Sequence, residues 1–364
     1  MSGPLAGIRV LEVGHMLAGP YCGMLLADLG ADVIKIEPAE GDVARNVGPH
    51  SVGPHNLYFA SLNRGKRSVR LDLASDAGRA ALARLAGEAQ ALVTNLRPNA
   101  IRKLGLTYEA LKTHNPKLVC VALTGYGLDG PDSDKPAYDY VIQGTTGLMA
   151  MTGEPGGAPV KTGYSVVDNS AGIMAAMGLL AKVVEGKGGQ VDLAMRDCML
   201  SQMNYLACAY LSAGEVPKRI ADGGHPYIVP AQTFPTRDGH VILFVSHDRF
   251  WRAFAEAVGR TEWIDDPRFA TMAARAANRE AVIEAVSGVL VAGTTAHWVD
   301  LLSAVGVVVS GIDSLDAALD AASRGMIAAP ADGIKSVGNP LKIAGYTPNY
   351  RPPPLLGEHD DELL

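Results

Sequence analysis

Positive charge is not in surplus in this sequence: 32 lysines and arginines face 38 aspartates and glutamates, for a formal net charge of -6. No block of like charges occurs either, so no nucleic-acid partner is expected. Long apolar runs are missing; none reaches the roughly 20 residues that a membrane-spanning helix needs, and no membrane partner is expected. The opening residues (MSGPLAGIRVLEVGH) lack the basic-then-apolar order of a secretion signal, which predicts a cytoplasmic location. Cysteine is sparse. Cys22, Cys120, Cys198 and Cys208 fall outside metal-ligand spacing, and dispersed thiols in a long cytosolic chain are expected to be reduced. The histidines show no ligand spacing; His225 in GGHPY and His359 in the tail read as polar loop residues, and no metal is expected. Walker, HExxH, CxxC and GxSxG elements are all absent, as are repeats and low-complexity tracts.

What is present is an alternation of apolar strands and helices. Residues 8–13 (IRVLEV) read as a buried parallel strand, residues 20–29 (PYCGMLLADL) as the helix after it, and residues 31–37 (ADVIKIE) as a second strand beyond the stop at Gly30. Strands at 68–73 (SVRLDL), 91–95 (ALVTN) and 117–123 (KLVCVAL), with a helix capped by Ser75, continue the pattern. The prediction is an α/β, Rossmann-like doubly wound parallel sheet. Order weakens over 205–236, which reads as a linker and mobile loop. A strand at 239–245 (GHVILFV) and helices at 248–258 and 279–291 then predict a smaller α+β domain over 237–324, after a large domain at 1–204.

A dinucleotide site is tempting, because Glu37 ends the second strand where a ribose-binding acid would sit. The turn from Gly14 to Pro20 (GHMLAGP) is nevertheless not GxGxxG; His15 and Met16 intrude, and Pro20 has no N–H for a pyrophosphate. NAD is not expected. The stretch KTGYSVVDNSAGI raises a sharper question, for it puts Asp168 just ahead of an apolar helix read over 169–184. Locally, Asp168 reads as the N-cap of that helix.

Seven segments in order, GIRVLEVGHMLAGP, LGADVIKIEP, NRGKRSVRLDL, VTNLRPNAIRKLGL, GYGLDGP, VVDNSAG and PPPLLGEHDDELL, give the chain a resemblance to the class III CoA-transferases, the group of formyl-CoA transferase and carnitine CoA-transferase that also includes α-methylacyl-CoA racemase. They run from residue 7 to the carboxyl end. The resemblance implies that Asp168 is a catalytic nucleophile attacking a donor thioester, with coenzyme A or acyl-CoA and a carboxylic acid as substrates. An unperturbed aspartate, pKa near 3.9, is already ionised at neutral pH and needs no general base. Displacing a thiolate whose parent pKa is near 8.5 is nonetheless uphill by roughly 6 kcal/mol on pKa values alone. The helix-opening N–H groups could support the developing charge, so cap and reagent are compatible roles.

The resemblance also implies CoA contacts from Leu17 and Ala18 after the first strand, from Leu71, Asp72, Leu73 and Ala74, from Asn95, Leu96 and Arg97, from Lys103 as a phosphate partner, and from Pro136, Ala137, Tyr138 and Asp139. The side chains of Leu17, Leu71 and Leu73 read better as packing, with any CoA contact made by their backbone. His15 and the Gly223-Gly224 loop fall on the substrate side. Relatives carry a longer glycine run there, so a plain turn is an equal reading of Gly223 and Gly224. Pro38 stands where relatives have an arginine near the CoA phosphates, which leaves Lys35, Arg64 or Lys66 as substitutes. Tyr138 occupies the place of the racemase histidine, and its phenol is a poor base at pH 7. Transfer is therefore favoured over 2-methylacyl-CoA racemisation; a non-catalytic CoA-binding protein on the same fold is the other competing reading. Asp139 reads as a structural acid at a strand end. Finally, the resemblance implies an interlaced homodimer whose large domain is completed by residues 325–364.

Overall fold

In the computed structural model, which describes residues 3–322 and 325–364, the five strands read in the first part of the chain, and a sixth that the sequence reading did not name, run parallel: β1 (Arg9–Val13), β2 (Asp32–Glu37), β3 (Arg67–Arg70), β4 (Ala91–Thr94), β5 (Val119–Thr124) and β6 (Gly189–Ala194). Their order is β3-β2-β1-β4-β5-β6, the doubly wound sheet that the alternation predicts. β5 (VCVALT) is buried throughout, as expected where helices cover both faces of a parallel sheet. The winding reverses between β1 and β4, and a crevice opens there beyond the carboxyl ends of the strands.

Helices α1 (Ala18–Asp28), α2 (Leu57–Asn63), α3 (Asp76–Glu88), α4 (Pro98–Lys103), α5 (Asp139–Thr145) and α6 (Val166–Glu185) make the connections. Of these, α6 is long and apolar enough to cross a membrane by length and composition alone, a length that the sequence reading did not assign to it. Here it packs on α1 and β5. The closeness of that packing depends on Gly172, where a Cβ would come within 2.8 Å of the Ala18 carbonyl oxygen. The central strands also carry charge into the core. Glu12 of β1 and Lys35 of β2 are register partners, and their side chains pair at 2.9 Å with no exposure.

The chain divides into two units. One comprises Met1–Thr146, Thr162–Gly214 and Ala322–Leu364; the other comprises Gly147–Lys161 and Glu215–Ala321. In the first unit the tail closes the outer edge of the sheet. His359 N–H donates to Ser68 O at 3.0 Å, and Asp360 accepts from the Arg70 amide and guanidinium at 2.7 and 2.8 Å. Those contacts seat the end of the closing segment PPPLLGEHDDELL against β3. The second unit holds a three-stranded antiparallel sheet, Val308–Gly311, His240–Phe244 and Ala231–Pro235. Its core is aromatic, with Trp251 stacked on Trp263 at 5.8 Å. Within 205–236, read as weakly ordered, the chain forms a helix at Asn204–Ala213 and a strand at Ala231–Pro235. Tyr and Leu side chains supply the apolar character that the Gly and Pro content of this segment masks.

Candidate active site

The crevice between β1 and β4 contains two cavities that share His15 and Leu96 in their walls. The first, about 100 Å³, is lined by the turn after β1 (His15, Met16, Leu17) and Ala18 at the start of α1, by Asn95, Leu96 and Arg97 after β4, by Thr124 at the end of β5 and Gly125 after it, and by Ala137, Tyr138 and Asp168. The second, about 550 Å³, lies beyond β2 and β3, with Pro38, Leu71, Asp72, Leu73 and Ala74 around it. Most of the residues assigned from sequence thus converge on the crevice. Lys103, Pro136 and Asp139 line neither cavity. Gly223 and Gly224 belong to the second unit, where they close a one-turn 3-10 segment with Gly223 at φ 68°.

The β1 turn is shaped by Asn95, whose amide oxygen accepts from the His15 N–H at 3.0 Å and whose amide nitrogen donates to His15 O at 2.9 Å. A Cβ on Gly14 or Gly19 would run into the same side chain, at 2.5 and 2.9 Å. The His15 Nδ1 atom is buried without a partner. Burial holds the imidazole below its usual pKa, with Lys35 acting in the same direction and Asp42 opposing. His15 therefore presents a neutral ring to the crevice near pH 7.

Asp168 is not the helix cap. The helix begins two residues earlier, at Val166, and Ser165 at the cap position makes no side-chain capping bond. The orphan amides are taken instead by Asp139, whose Oδ2 accepts from Val167 N–H at 2.8 Å and from Asp168 N–H at 3.3 Å. Asp139 itself opens α5 rather than ending a strand, and is buried. Its Oδ1 accepts from Gln143 Nε2 at 2.5 Å. This frees the Asp168 carboxylate to face the cavity. Burial first, and the Asp139 charge second, push its pKa from the ordinary carboxylate range up to about 7. The positive end of the α6 dipole favours the anion, yet desolvation and like charge outweigh it. The expectation of an unperturbed aspartate is corrected accordingly.

None of the three bases suggested in place of an arginine at Pro38 is free to reach a phosphate. The Lys35 ammonium is fully buried between Glu12 at 2.9 Å and Asp42 at 2.8 Å. Burial alone would depress its pKa, but those carboxylates raise it instead. Lys66 is equally buried; it pairs with Glu12 at 2.6 Å, and desolvation brings its pKa down to about 8. Arg64 is committed to both Asp28 carboxylate oxygens, at 2.9 and 2.6 Å. The exposed cations by the crevice are Arg97, at the start of α4, and Lys135, which pairs with Asp132 at 2.7 Å. Glu37 is likewise unavailable to a ribose, since Arg45 donates to its two oxygens at 2.8 and 2.7 Å and Ser68 adds a third bond at 2.6 Å.

Sequence reasoning missed Tyr58, Ser133, Lys135 and Met195, all in the wall of the first cavity. Burial raises the pKa of the Tyr58 phenol, and so does the charge of Asp168, the next cause. The sequence around it (HNLYFASLN) carries no signal of this; tertiary structure alone brings Tyr58 to the site.

Residues 5–360 of the chain match the family described as CoA-transferase family III. The chain is 36% identical over 372 residues to an acetyl-CoA:oxalate CoA-transferase of Acetobacter aceti, covering 99% of this chain and 95% of that protein. It is also 36% identical over 385 residues to a succinate–glutarate CoA-transferase of Agrobacterium fabrum, with the same coverage. Among solved structures, a CaiB/BaiF family protein from Brucella suis superposes with a TM-score of 0.86 at 34% identity, over 99% of this chain and 98% of that one.

Proposed function

The chain belongs to CoA-transferase family III and is an enzyme of that class, and from that premise we propose that it moves CoA between an acyl-CoA and a carboxylic acid through a covalent thioester on Asp168. The observation that carries this reading is the setting of Asp168: a half-buried carboxylate at the crevice, relieved of capping by Asp139.

In the first step an Asp168 oxygen attacks the thioester carbonyl; the C–S bond breaks and CoA leaves as thiolate, giving an aspartyl anhydride. The thiolate then attacks the Asp168 carbonyl carbon and releases the donor acid as carboxylate, leaving an aspartyl-CoA thioester. The acceptor carboxylate attacks that thioester, and the same two displacements run in reverse. Each step needs a good nucleophile and an environment without competing water. A carboxylate of pKa about 7 narrows the gap to a thiol of pKa near 8.5, so that the uphill displacement falls from roughly 6 to roughly 2 kcal/mol. Desolvation thus serves the chemistry as long as pH keeps the acid ionised.

In this reading the larger cavity by Leu71, Asp72, Leu73 and Ala74 takes the adenosine end of CoA, Arg97 and Lys103 face the phosphates, and the pantetheine arm passes His15 to reach Asp168. The two relatives named for oxalate and for succinate and glutarate support a small dicarboxylic acid as a substrate. Exposed Ile173 and Met177 on α6 and Leu211 on the helix Asn204–Ala213 support a homodimer, which the reading takes as interlaced, cytoplasmic, and built with a large domain from both ends of the chain.

The test is Asp168→Asn, which keeps the shape and removes the nucleophile. The variant should bind CoA normally and lose transfer by at least about 1,000-fold. Wild type incubated with acyl-CoA alone should carry CoA on the peptide containing Asp168, trapped with hydroxylamine or borohydride and read by mass spectrometry. A fully active Asn variant, or an unmodified Asp168 during turnover, would overturn the mechanism.

A further inference from the structure

Three consecutive residues of the turn after β1 are gripped by side chains from neighbouring segments. Lys35 Nζ donates to Gly14 O at 3.0 Å. Asn95 holds both backbone groups of His15. Asp42 Oδ1 accepts from the Met16 N–H at 3.1 Å. Met16 stands at φ 62°, a left-handed conformation that a residue bearing a Cβ seldom adopts unless its surroundings impose it. Asp42 is built to impose it. Its Oδ2 lies 2.8 Å from Lys35 Nζ, with neither side chain exposed. Its Oδ1 also accepts from Ala44 N–H at 2.9 Å, and its own N–H donates to Glu37 Oε2 at 2.9 Å. The carboxylate is thus held by Lys35 and Ala44, and the Asp42 backbone by Glu37, before it meets Met16.

The gripped turn leads directly into Leu17 and Ala18, and it supplies one wall of the cavity that contains Asp168. We infer that Asp42 is a positioning residue for CoA transfer: by accepting the Met16 amide it holds the β1 turn in a left-handed bend, so that the thioester end of the donor meets Asp168 in line. It acts through the turn and not on the reacting atoms. The inference rests on the assignment of the Asp168 cavity as the place where the thioester reacts.

The test compares kcat and donor KM for Asp42→Ala, Asp42→Asn, Met16→Gly and the Asp42→Ala, Met16→Gly double variant, each confirmed folded by circular dichroism at the assay temperature. Asp42→Ala should lower kcat at least tenfold. Asp42→Asn keeps an oxygen acceptor for the amide and should recover most of that loss. Glycine adopts the left-handed bend unaided, so the loss caused by Asp42→Ala should shrink at least threefold in the Met16→Gly background. Equal losses in both backgrounds, with Asp42→Asn no better than Asp42→Ala, would overturn the proposal and leave Asp42 as a counter-ion of Lys35. Should Asp42→Ala fail to fold, replacing Met16 by its α-hydroxy acid removes the N–H alone; a tenfold lower kcat supports the proposal and an unchanged kcat overturns it. An active Asp168→Asn variant would instead cancel the nucleophile assignment without altering these ratios.

Discussion

Asp139 binds the backbone of Asp168 and opposes its charge at once: its Oδ2 accepts the Asp168 amide at 3.3 Å, and its field helps to raise the Asp168 pKa to about 7. The acid that completes the helix is therefore also the acid that tunes the nucleophile. The rate should follow the ionised fraction of Asp168, so kcat/KM for the donor should fall about tenfold per pH unit below about pH 7. Asp139→Asn keeps an acceptor oxygen and deletes the charge, and its acid limb should move to lower pH. An unmoved limb in a pH-rate profile would assign the ionisation to another group.

The same raised pKa bears on stability. The folded value of about 7 exceeds the unfolded value near 3.9, so the stabilising contribution of the protonated acid is fully present below pH 4 and is lost as pH rises through 7. Asp168→Asn does not titrate. It should therefore gain stability relative to wild type between pH 5 and pH 8, by at most about 3 kcal/mol and less where water reaches the carboxylate. Urea unfolding at the two pH values reads this directly, and a constant difference would contradict it.

Glu12 bridges two buried ammonium groups, Lys35 at 2.9 Å and Lys66 at 2.6 Å. Glu12→Gln leaves both cations in the core with their shared carboxylate gone, a loss expected to cost about 3–5 kcal/mol. Denaturant midpoints would show it. A change under 1 kcal/mol would mean that the lysines shed their protons or that water enters.

Gly125 follows β5 at the crevice, and a Cβ there would collide with Ala137, next to Tyr138. Gly125→Ala should push the loop before α5 outward, lowering transfer by up to ~100-fold while costing only about 1–3 kcal/mol of stability. Parallel activity and melting measurements separate the two effects.

Tyr138, in place of a racemase histidine, leads to a distinct expectation. A 2-methylacyl-CoA incubated in deuterated buffer should acquire no α-deuterium at a rate comparable to the best transfer reaction. NMR of the recovered thioester decides the matter.

The sheet was legible because β1, β2, β4 and β5 announce themselves as aliphatic runs between glycine-rich turns, and a parallel strand buried on both faces can look no other way. Asp168 was legible as important but not as to how. Its local pattern says cap, whereas the capping oxygen comes from Asp139, 29 residues away. The charged strand positions misled for a related reason. Lys35 and Lys66 look like candidate phosphate partners in one dimension; the register of β1 against β2 sets Lys35 opposite Glu12, and the fold brings Lys66 to the same carboxylate. Tyr58 lay outside any motif, since no period or spacing links α2 to α6.

The tail that seals the sheet sets a schedule for biosynthesis. Asp360 closes on Arg70 across 290 residues of chain, a stretch that takes about 15 to 60 s to translate at ordinary rates. Throughout that interval β3 is an uncovered edge on a nascent sheet, the kind of surface that recruits stray strands. A chain truncated before residue 357 should therefore be far more prone to co-aggregate, or to hold a chaperone, than the released full chain, in which the helix Asp360–Leu363 can reach the sheet edge.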